Sequence, residues 1–221
     1  PPVSPPSAVI PVLGVQMKAV GEVMAIGRTF SQAWLKGFRA LENDRPGWVP
    51  AEDPADDRLP DDSQESLRSA IRTPTPERPF QLYRLLAAGA TGAEIAERTG
   101  IDPWFLDQLE TIVHAGREFA SLPEVTPSTL LGAKRIGFGD AELARLRGTT
   151  EAEIRTLRHE HGIRPVFKRV DTCAAEFASS TAYMYSTYEE ECEAQPSAQR
   201  KIMVLGGGPN RIGQGIEFDY C

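Results

Sequence analysis

Apolar residues recur at helical spacing along most of this chain, and capping signals mark where the helices begin. After Thr29 they form one helix face, made of Ala33, Trp34, Leu35, Phe38 and Leu41. Thr29 is the predicted N-cap. The side chain of Gln32, three residues later, is predicted to accept the backbone N–H of Thr29 and so complete a capping box. The first helix is therefore expected to begin directly after Thr29.

Between residues 63 and 161 the pattern predicts helices only. A short helix is expected after Ser63. Longer ones are expected over 79–88, after Thr91 with Glu94, from Asp102-Pro103, from Thr126-Pro127, over 140–147, and after Thr150 with Glu153. Glycines at 89, 100, 137, 148 and 162 are the predicted stops. The fold class is therefore predicted to be mainly α.

An internal repeat lies within this helical region. A shift of 48 residues places Ala93, Glu94, Ile95, Ala96 and Gly100 on Ala141, Glu142, Leu143, Ala144 and Gly148. Each copy is predicted to be a helix-turn-helix unit: a short helix, a glycine-containing turn and a longer helix. Because neither copy can bury its apolar face alone, we expect the copies to pack together or on a neighbour.

The segments outside these helices differ in composition and hydrophobic pattern. Residues 1–15 contain five prolines and no charge, which favours a linker or an artefact, and residues 43–62 indicate a solvated acidic loop. Segments 166–170 and 182–188 predict short extended strands. Residues 201–205 predict a buried strand that leads into Gly206, Gly207 and Gly208, as at the start of a truncated α/β domain.

Composition narrows the function classes. The 221 residues carry a formal net charge of -7, which disfavours nucleic acid as a partner. No apolar run is long enough to cross a bilayer, so we expect no membrane partner. The three cysteines, Cys173, Cys192 and Cys221, form no C-x-x-C pair, which favours a reducing, cytoplasmic setting.

The glycine-rich loop at 206–215 is the sharpest chemical signal. Glycines after a strand let backbone N–H groups approach a phosphate or another loop closely. Gly208 and Gly213 fit the outer glycines of a phosphate-binding loop, but Gln214 stands where that motif has lysine. Both a nucleotide role and a tight structural turn stay open on these residues alone.

The segment 91–113 has the helix, turn and second helix of a DNA-binding helix-turn-helix, which makes a DNA-binding regulator the alternative hypothesis. Its second helix carries no Lys or Arg before Arg117, whereas a recognition helix presents cations and amides to the groove. Structural packing is the better interpretation. His159 with His161, the run 189–191, and the group Asp171, Cys173 and Glu176 likewise form no metal site or nucleophile–base pair that we can defend.

The stretches QMKAVGEVMAIGRT at 16–29 and VFKRVDTCAAEF at 166–177, with others, resemble one family, the large subunits of carbamoyl phosphate synthetase. QMKAVGEVMAIGRT at 16–29 is similar to the end of the family's first ATP-grasp half. VFKRVDTCAAEF at 166–177, AYMYSTYEEE at 182–191 and the loop through residue 220 are similar to the start of the second half. IDPWFL at 101–106 and KRIGFGD at 134–140 match the helical middle, whereas residues 1–15 and 43–62 depart from the family pattern.

The resemblance implies a division of the chain. It gives a linker or artefact at 1–15, the end of the first half at 16–29, a helical oligomerisation and connecting domain at 30–165, a lead-in segment at 166–200, and the first strand and glycine loop of the second half at 201–221. It also implies no catalytic, metal or cofactor residue in this stretch. Loop residues Gly208, Asn210, Arg211, Gly213, Gly215 and Glu217 would contribute to the wall of a substrate tunnel.

For the whole enzyme, the resemblance implies a ligase that makes carbamoyl phosphate from bicarbonate, glutamine-derived ammonia and two ATP. It would use Mg or Mn and K, with a glutamine amidotransferase small subunit as partner, and would serve arginine or pyrimidine biosynthesis. We expect this chain to form a homo-oligomer. Apolar residues that a small helical domain leaves uncovered are the candidate contacts: Trp104, Phe105 and Ile112.

Overall fold

The computed structural model describes residues 12–15, 21–41, 45, 47–49, 64–204 and 210–211, and structural statements below refer to these. They contain eight helices, which confirms the mainly α prediction. The helices are α1 (Phe30–Ala40), α2 (Gln64–Ala70), α3 (Arg78–Ala87), α4 (Gly92–Thr99), α5 (Pro103–Ser121), α6 (Pro127–Ile136), α7 (Asp140–Arg147) and α8 (Glu151–Glu160). Every helix predicted from 63 to 161 is present.

The predicted N-caps form. In two of the three predicted capping boxes, however, the side chain at the third helical position does not accept the backbone N–H of the N-cap residue. The hydroxyls of Thr29, Thr91 and Thr150 each accept the backbone N–H three residues on. The carboxylate of Glu153 accepts in return from the backbone N–H of Thr150, at 2.8 Å. The expected return from Gln32 is wrong, because its amide group bonds outside the box.

Tertiary partners take over those two side chains. The Oε1 of Gln32 accepts from the backbone N–H of Arg28 at 3.0 Å, and its Nε2 donates to the carbonyl of Arg135 at 2.8 Å. Glu94 instead accepts from Arg68 of α2, at 2.6 Å. Both side chains thus tie their helices to neighbours and do not close the local turn.

The 48-residue repeat predicted from the sequence is present in the fold. Helices α4 and α7 occupy equivalent positions in it, as do the starts of α5 and α8. The glycines after α4 and α7, Gly100 and Gly148, both adopt the left-handed conformation that ends a helix without a Cβ clash. The copies pack together through α5 and α7, as expected.

Helix α5 is the centre of the core and contacts α1, α3, α4, α6 and α7. Its buried face consists of Leu106, Leu109, Ile112, Val113, Gly116 and Phe119. Fully burying each large apolar side chain contributes roughly 1.5–3 kcal/mol. The stability of the domain therefore depends on this helix more than on any other single described element.

Part of the segment predicted as a solvated loop lies in the core. Trp48 is fully buried and Val49 is nearly so. The Trp48 ring packs edge-on against Trp34 and Tyr83, and its Nε1 donates to the carbonyl of Pro79 at 2.9 Å. The solvated interpretation is wrong for residues 47–49, which we call the core strap, because an indole gains more from burial than its acidic surroundings indicate.

Two short antiparallel pairs complete the described structure. Strand β1 (Gly21–Glu22) pairs with β4 (Asn210–Arg211), and β2 (Val166–Arg169) pairs with β3 (Met184–Thr187). The predicted extended segments at 166–170 and 182–188 are confirmed by β2 and β3. The predicted buried strand is wrong for residues 201–204, which are exposed to solvent and pair with no described strand.

Candidate functional site

A cavity that we call the polar cleft lies between α1, the turn from α6 to α7, and strand β3. Its volume is about 310 Å³, and its charged and phenolic lining comprises Lys36, Arg39, Lys134, Asp140, Glu151 and Tyr188. The turn at 137–139 brings the last residues of α6 and the first of α7 together at this wall. The cleft therefore gathers polar groups from parts of the chain that are distant in sequence.

Asp140 is the acidic centre of one wall. Its Oδ1 lies 2.7 Å from Lys134 Nζ, and its Oδ2 lies 3.1 Å from Arg158 Nη2. Burial alone would raise the pKa of Asp140, but the hydrogen bonds and charges of Lys134 and Arg158 outweigh it and hold the pKa below its ordinary value. Burial, together with the charges of Arg39 and Arg158, in turn lowers the pKa of Lys134 although Asp140 opposes this.

Glu142 is fully buried behind the same turn, and both of its oxygens are bonded. Its Oε2 accepts from Arg39 Nη1 and from the backbone N–H of Gly139, each at 2.9 Å. Its Oε1 accepts from the backbone N–H of Trp48 at 3.2 Å. One carboxylate thus caps its own helix, holds α1 and fixes the core strap.

A set of cations holds the segment around β3 against the helices. Lys36 Nζ donates to the carbonyl of Ile26 at 2.8 Å and to the carbonyl of Ser186. Arg135 Nε donates to the carbonyl of Tyr188 at 3.0 Å, and Lys134 Nζ lies 5.1 Å from the centroid of the Tyr188 ring. The segment that follows the helical region is therefore attached to it by main-chain and ring contacts.

An aromatic edge, defined as Phe30, Trp104 and Phe105, lies at the surface where α1 meets α5. The Phe30 ring is 5.6 Å from Trp104 and 5.7 Å from Phe105, between centroids. Trp104 is 52% exposed and Phe105 is 45% exposed. Two large rings therefore stay in water beside a third, which makes this edge a candidate contact surface.

The third candidate contact, Ile112, does not belong to that surface. It is fully buried, so the expectation that it stays uncovered is wrong. Ile112 lies two turns further along α5, where the neighbouring helices surround the helix. Only the first turn of α5 projects far enough to leave its aromatic side chains in solvent.

Sequence comparisons place these features in a family. The model described as carbamoyl-phosphate synthetase large chain, oligomerisation domain, matches residues 22–162. The chain belongs to the carbamoyl phosphate synthase large-chain family. The model for the carbamoyl phosphate synthase preATP-grasp domain matches residues 198–221.

Individual carbamoyl phosphate synthase large chains are similar over nearly the whole sequence. Identity is 52% over 211 residues with the protein from Gemmatimonas aurantiaca, covering 96% of this chain. It is 54% over 211 residues with that from Halomonas eurihalina, covering 95%, and 49% over 213 residues with that from a Nostoc species, covering 96%. The chain spans 19% of the length of each of these relatives. These matches give no support to the DNA-binding regulator hypothesis.

The predicted tunnel residues of the glycine-rich loop fall mostly outside the described part of the chain. This holds for Gly208, Gly213, Gly215 and Glu217. Asn210 and Arg211 are described as strand β4, which lies beside β1. Their assignment to a tunnel wall stays a prediction.

The sequence held little signal for the roles of Glu142, Lys134, Asp140 and Lys36. Glu142 stands three positions after Gly139, so its capping role was hidden because the N-cap is a glycine without a side chain. Lys134 and Asp140 are six residues apart across a turn, a spacing that no helical or strand period indicates. The ties of Lys36 to Ile26 and Ser186 depend on tertiary structure alone.

Two further features are absent from the described residues. They contain no group of three or more His, Cys, Asp or Glu side chains that could hold a metal ion. None of their helices combines the length and apolar character needed to cross a membrane.

Proposed function

We propose that this chain is the non-catalytic connecting and oligomerisation region of an ATP-dependent carbon–nitrogen ligase. The complete large chain would make carbamoyl phosphate from bicarbonate, glutamine-derived ammonia and two ATP. The observation that carries this proposal is the match of residues 22–162 to the oligomerisation domain of the family, together with an exposed aromatic edge on that domain.

The ligands of the reaction belong, in this proposal, to other parts of the large chain. Phosphoryl transfer depends almost wholly on positioning and charge, and the described residues do not supply a carboxylate set for Mg or Mn. ATP, Mg or Mn, and K are therefore assigned elsewhere. The purified chain is expected to neither hydrolyse ATP nor make carbamoyl phosphate above background. Stoichiometric turnover in a coupled ATPase assay would contradict this.

The partners follow from the same proposal. The large chain would bind a glutamine amidotransferase small subunit and would self-associate, with the aromatic edge as a contact. Exposed aromatic rings that pack on one another offer a large apolar area at little entropic cost. The unpaired state of Cys173 and Cys192 supports a cytoplasmic setting.

Self-association is tested by sedimentation velocity across a wide concentration range. Replacing Trp104 and Phe105 together with serine is expected to weaken association by tenfold or more, since aromatic residues dominate contact energies. Phe177→Ser is the matched control, because this ring is 71% exposed and lies outside the helical region. A wild-type chain that stays monomeric at high concentration, or a double variant that associates normally, contradicts the assignment.

The tunnel role of the glycine loop is tested in the intact large chain. Gly215→Phe adds bulk without removing a catalytic group, so glutamine hydrolysis and bicarbonate-dependent ATP hydrolysis are expected to survive while overall synthesis falls. Gly215→Ala separates this from a requirement for positive φ, because a wall tolerates one methyl group and a restricted turn does not. Equal damage from Ala and Phe would reject the tunnel role.

A further inference from the structure

The polar cleft has a cation that the surrounding carboxylates do not neutralise. Its charged lining consists of three cations, Lys36, Arg39 and Lys134, and two carboxylates, Asp140 and Glu151. This local excess of positive charge stands in a chain whose formal net charge is -7. The ion-pair partner of each lining side chain shows which cation is left unneutralised.

Every lining charge except that of Lys36 has an opposite partner. Lys134 is paired with Asp140 at 2.7 Å and Arg39 with Glu142 at 2.9 Å. Glu151 is paired with an arginine of its own helix. Within the described part of the chain, Lys36 has no carboxylate at ion-pair distance.

Lys36 is instead held by neutral groups. Its ammonium donates to the carbonyls of Ile26 and Ser186 and lies 5.3 Å from the centroid of the Tyr185 ring. These contacts fix the position of the ammonium without cancelling its charge. Burial, followed by the charge of Arg39, lowers the pKa of Lys36 below its ordinary value. A bound anion would oppose both effects, because an opposite charge favours the protonated ammonium.

Arg39 adds unused donors on the same wall. One turn after Lys36 on α1, Arg39 donates from Nη1 to the carbonyl of Gly137 at 2.8 Å and to Glu142, and these are its only hydrogen bonds to described residues. A guanidinium carries five N–H donors in a planar fork that suits oxyanions. The cavity of about 310 Å³ lies at the small end of ligand pockets, which favours a compact ligand over an extended one.

We propose that the polar cleft binds a small tetrahedral oxyanion, inorganic phosphate or the phosphate group of a small monoester, through Lys36 with Arg39 and Lys134. Three cations, two from α1 and one from α6, match the several acceptor oxygens of a phosphate better than the two of a carboxylate. This binding site goes beyond the connecting role proposed above and does not depend on self-association. It would make the junction between the helical region and β3 responsive to phosphate.

Isothermal titration calorimetry of the 221-residue chain with sodium phosphate tests the proposal, with sodium chloride at matched ionic strength as the blank. Saturable binding at one site is expected, and acetate is expected to bind at least tenfold more weakly. Lys36→Met should weaken phosphate binding about tenfold or more, the usual loss for a charged hydrogen bond. Lys36→Arg should largely retain it, and exposed Lys201→Met should leave it unchanged.

A second readout does not depend on how the variants fold. In the wild-type chain, the ¹³C resonance of the Lys36 Cε should shift on phosphate addition, with the same saturation point as the calorimetry, while that of Lys201 stays in place. The proposal is overturned if phosphate and chloride are indistinguishable, if acetate binds as well as phosphate, or if Lys36→Met and Lys201→Met bind phosphate alike.

Discussion

Glu142 is expected to be the most costly single carboxylate to remove from the described part of this domain. Glu142→Ala deletes the acceptor for Arg39 and for the backbone N–H groups of Gly139 and Trp48. The methyl side chain also leaves a void at a fully buried position. Helix α1, the start of α7 and the core strap would lose their common anchor at once.

The expected loss in the free energy of unfolding follows from the groups that Glu142→Ala leaves without a partner. Removing one partner of a buried ion pair costs roughly 3–5 kcal/mol. Arg39 moderates this, since it is 30% exposed and keeps its bond to Gly137. Each orphaned backbone N–H adds about 1–3 kcal/mol if water does not replace the acceptor. With the partly solvated Arg39 contributing about 1 kcal/mol and each of the two N–H groups about 1–2 kcal/mol, the expected total loss is about 3–5 kcal/mol for Ala. It is about 1–3 kcal/mol for Gln, which retains one acceptor oxygen.

Urea unfolding monitored by tryptophan fluorescence measures the loss as a lower midpoint at an unchanged slope. Glu97→Ala is the matched control, an exposed helical glutamate whose removal should change stability by less than about 0.5 kcal/mol. A double-mutant cycle with Arg39→Met should report a coupling of roughly 0.5–3 kcal/mol. If Glu142→Ala costs no more than Glu97→Ala, the anchoring role is refuted.

Two further predictions concern a cap and two glycines. Hydrogen bonds from the hydroxyl of Thr149 and from the backbone and hydroxyl of Thr150 lower the pKa of Glu153 to about 2, so its carboxyl NMR titration should have a midpoint near that value. Because the folded pKa lies below the ordinary 4.5, its stabilising effect is complete above that pH and disappears as the pH falls toward 2. A midpoint near 4.5 would contradict the cap. Gly132→Ala, in open space on α6, should stabilise by about 0.5–1 kcal/mol in urea unfolding. Gly137→Ala, at φ +122° with a main-chain atom of α1 at 2.9 Å from the new Cβ, should destabilise by at least about 1 kcal/mol; equal effects of the two would contradict the strain at Gly137.

The helices could be predicted from the sequence because their signals are local. An N-cap such as Thr150 and a stop such as Gly148 act within one turn of chain, and both are present as expected. Trp48 was misplaced because its burial depends on rings of α1 and α3 that no local pattern encodes. Ile112 was misplaced because its exposure depends on how many helices surround α5.

The candidate site could be predicted only in part. Trp104 and Phe105 could be selected, since an aromatic pair in the first turn of a helix has few neighbours to cover it. The polar cleft could not, because Lys36 and Tyr188 are brought together by tertiary structure. The sequence of a residue such as Gln32 is compatible with two roles, a hydrogen bond in the local capping box and a hydrogen bond to a distant helix. Tertiary packing decides which one forms.

The pairing of β1 with β4 has a consequence for how the helical region is joined to the segments before and after it. Gly21 lies opposite Arg211 and Glu22 opposite Asn210, so the chain leaves and returns at one place. All eight described helices lie between these two strands in the sequence, which is the arrangement of an inserted domain. Such a domain can be lengthened, exchanged or lost without changing the distance between the segments before and after it. A pulling force applied through those segments would load two short strands and leave the helices unstretched.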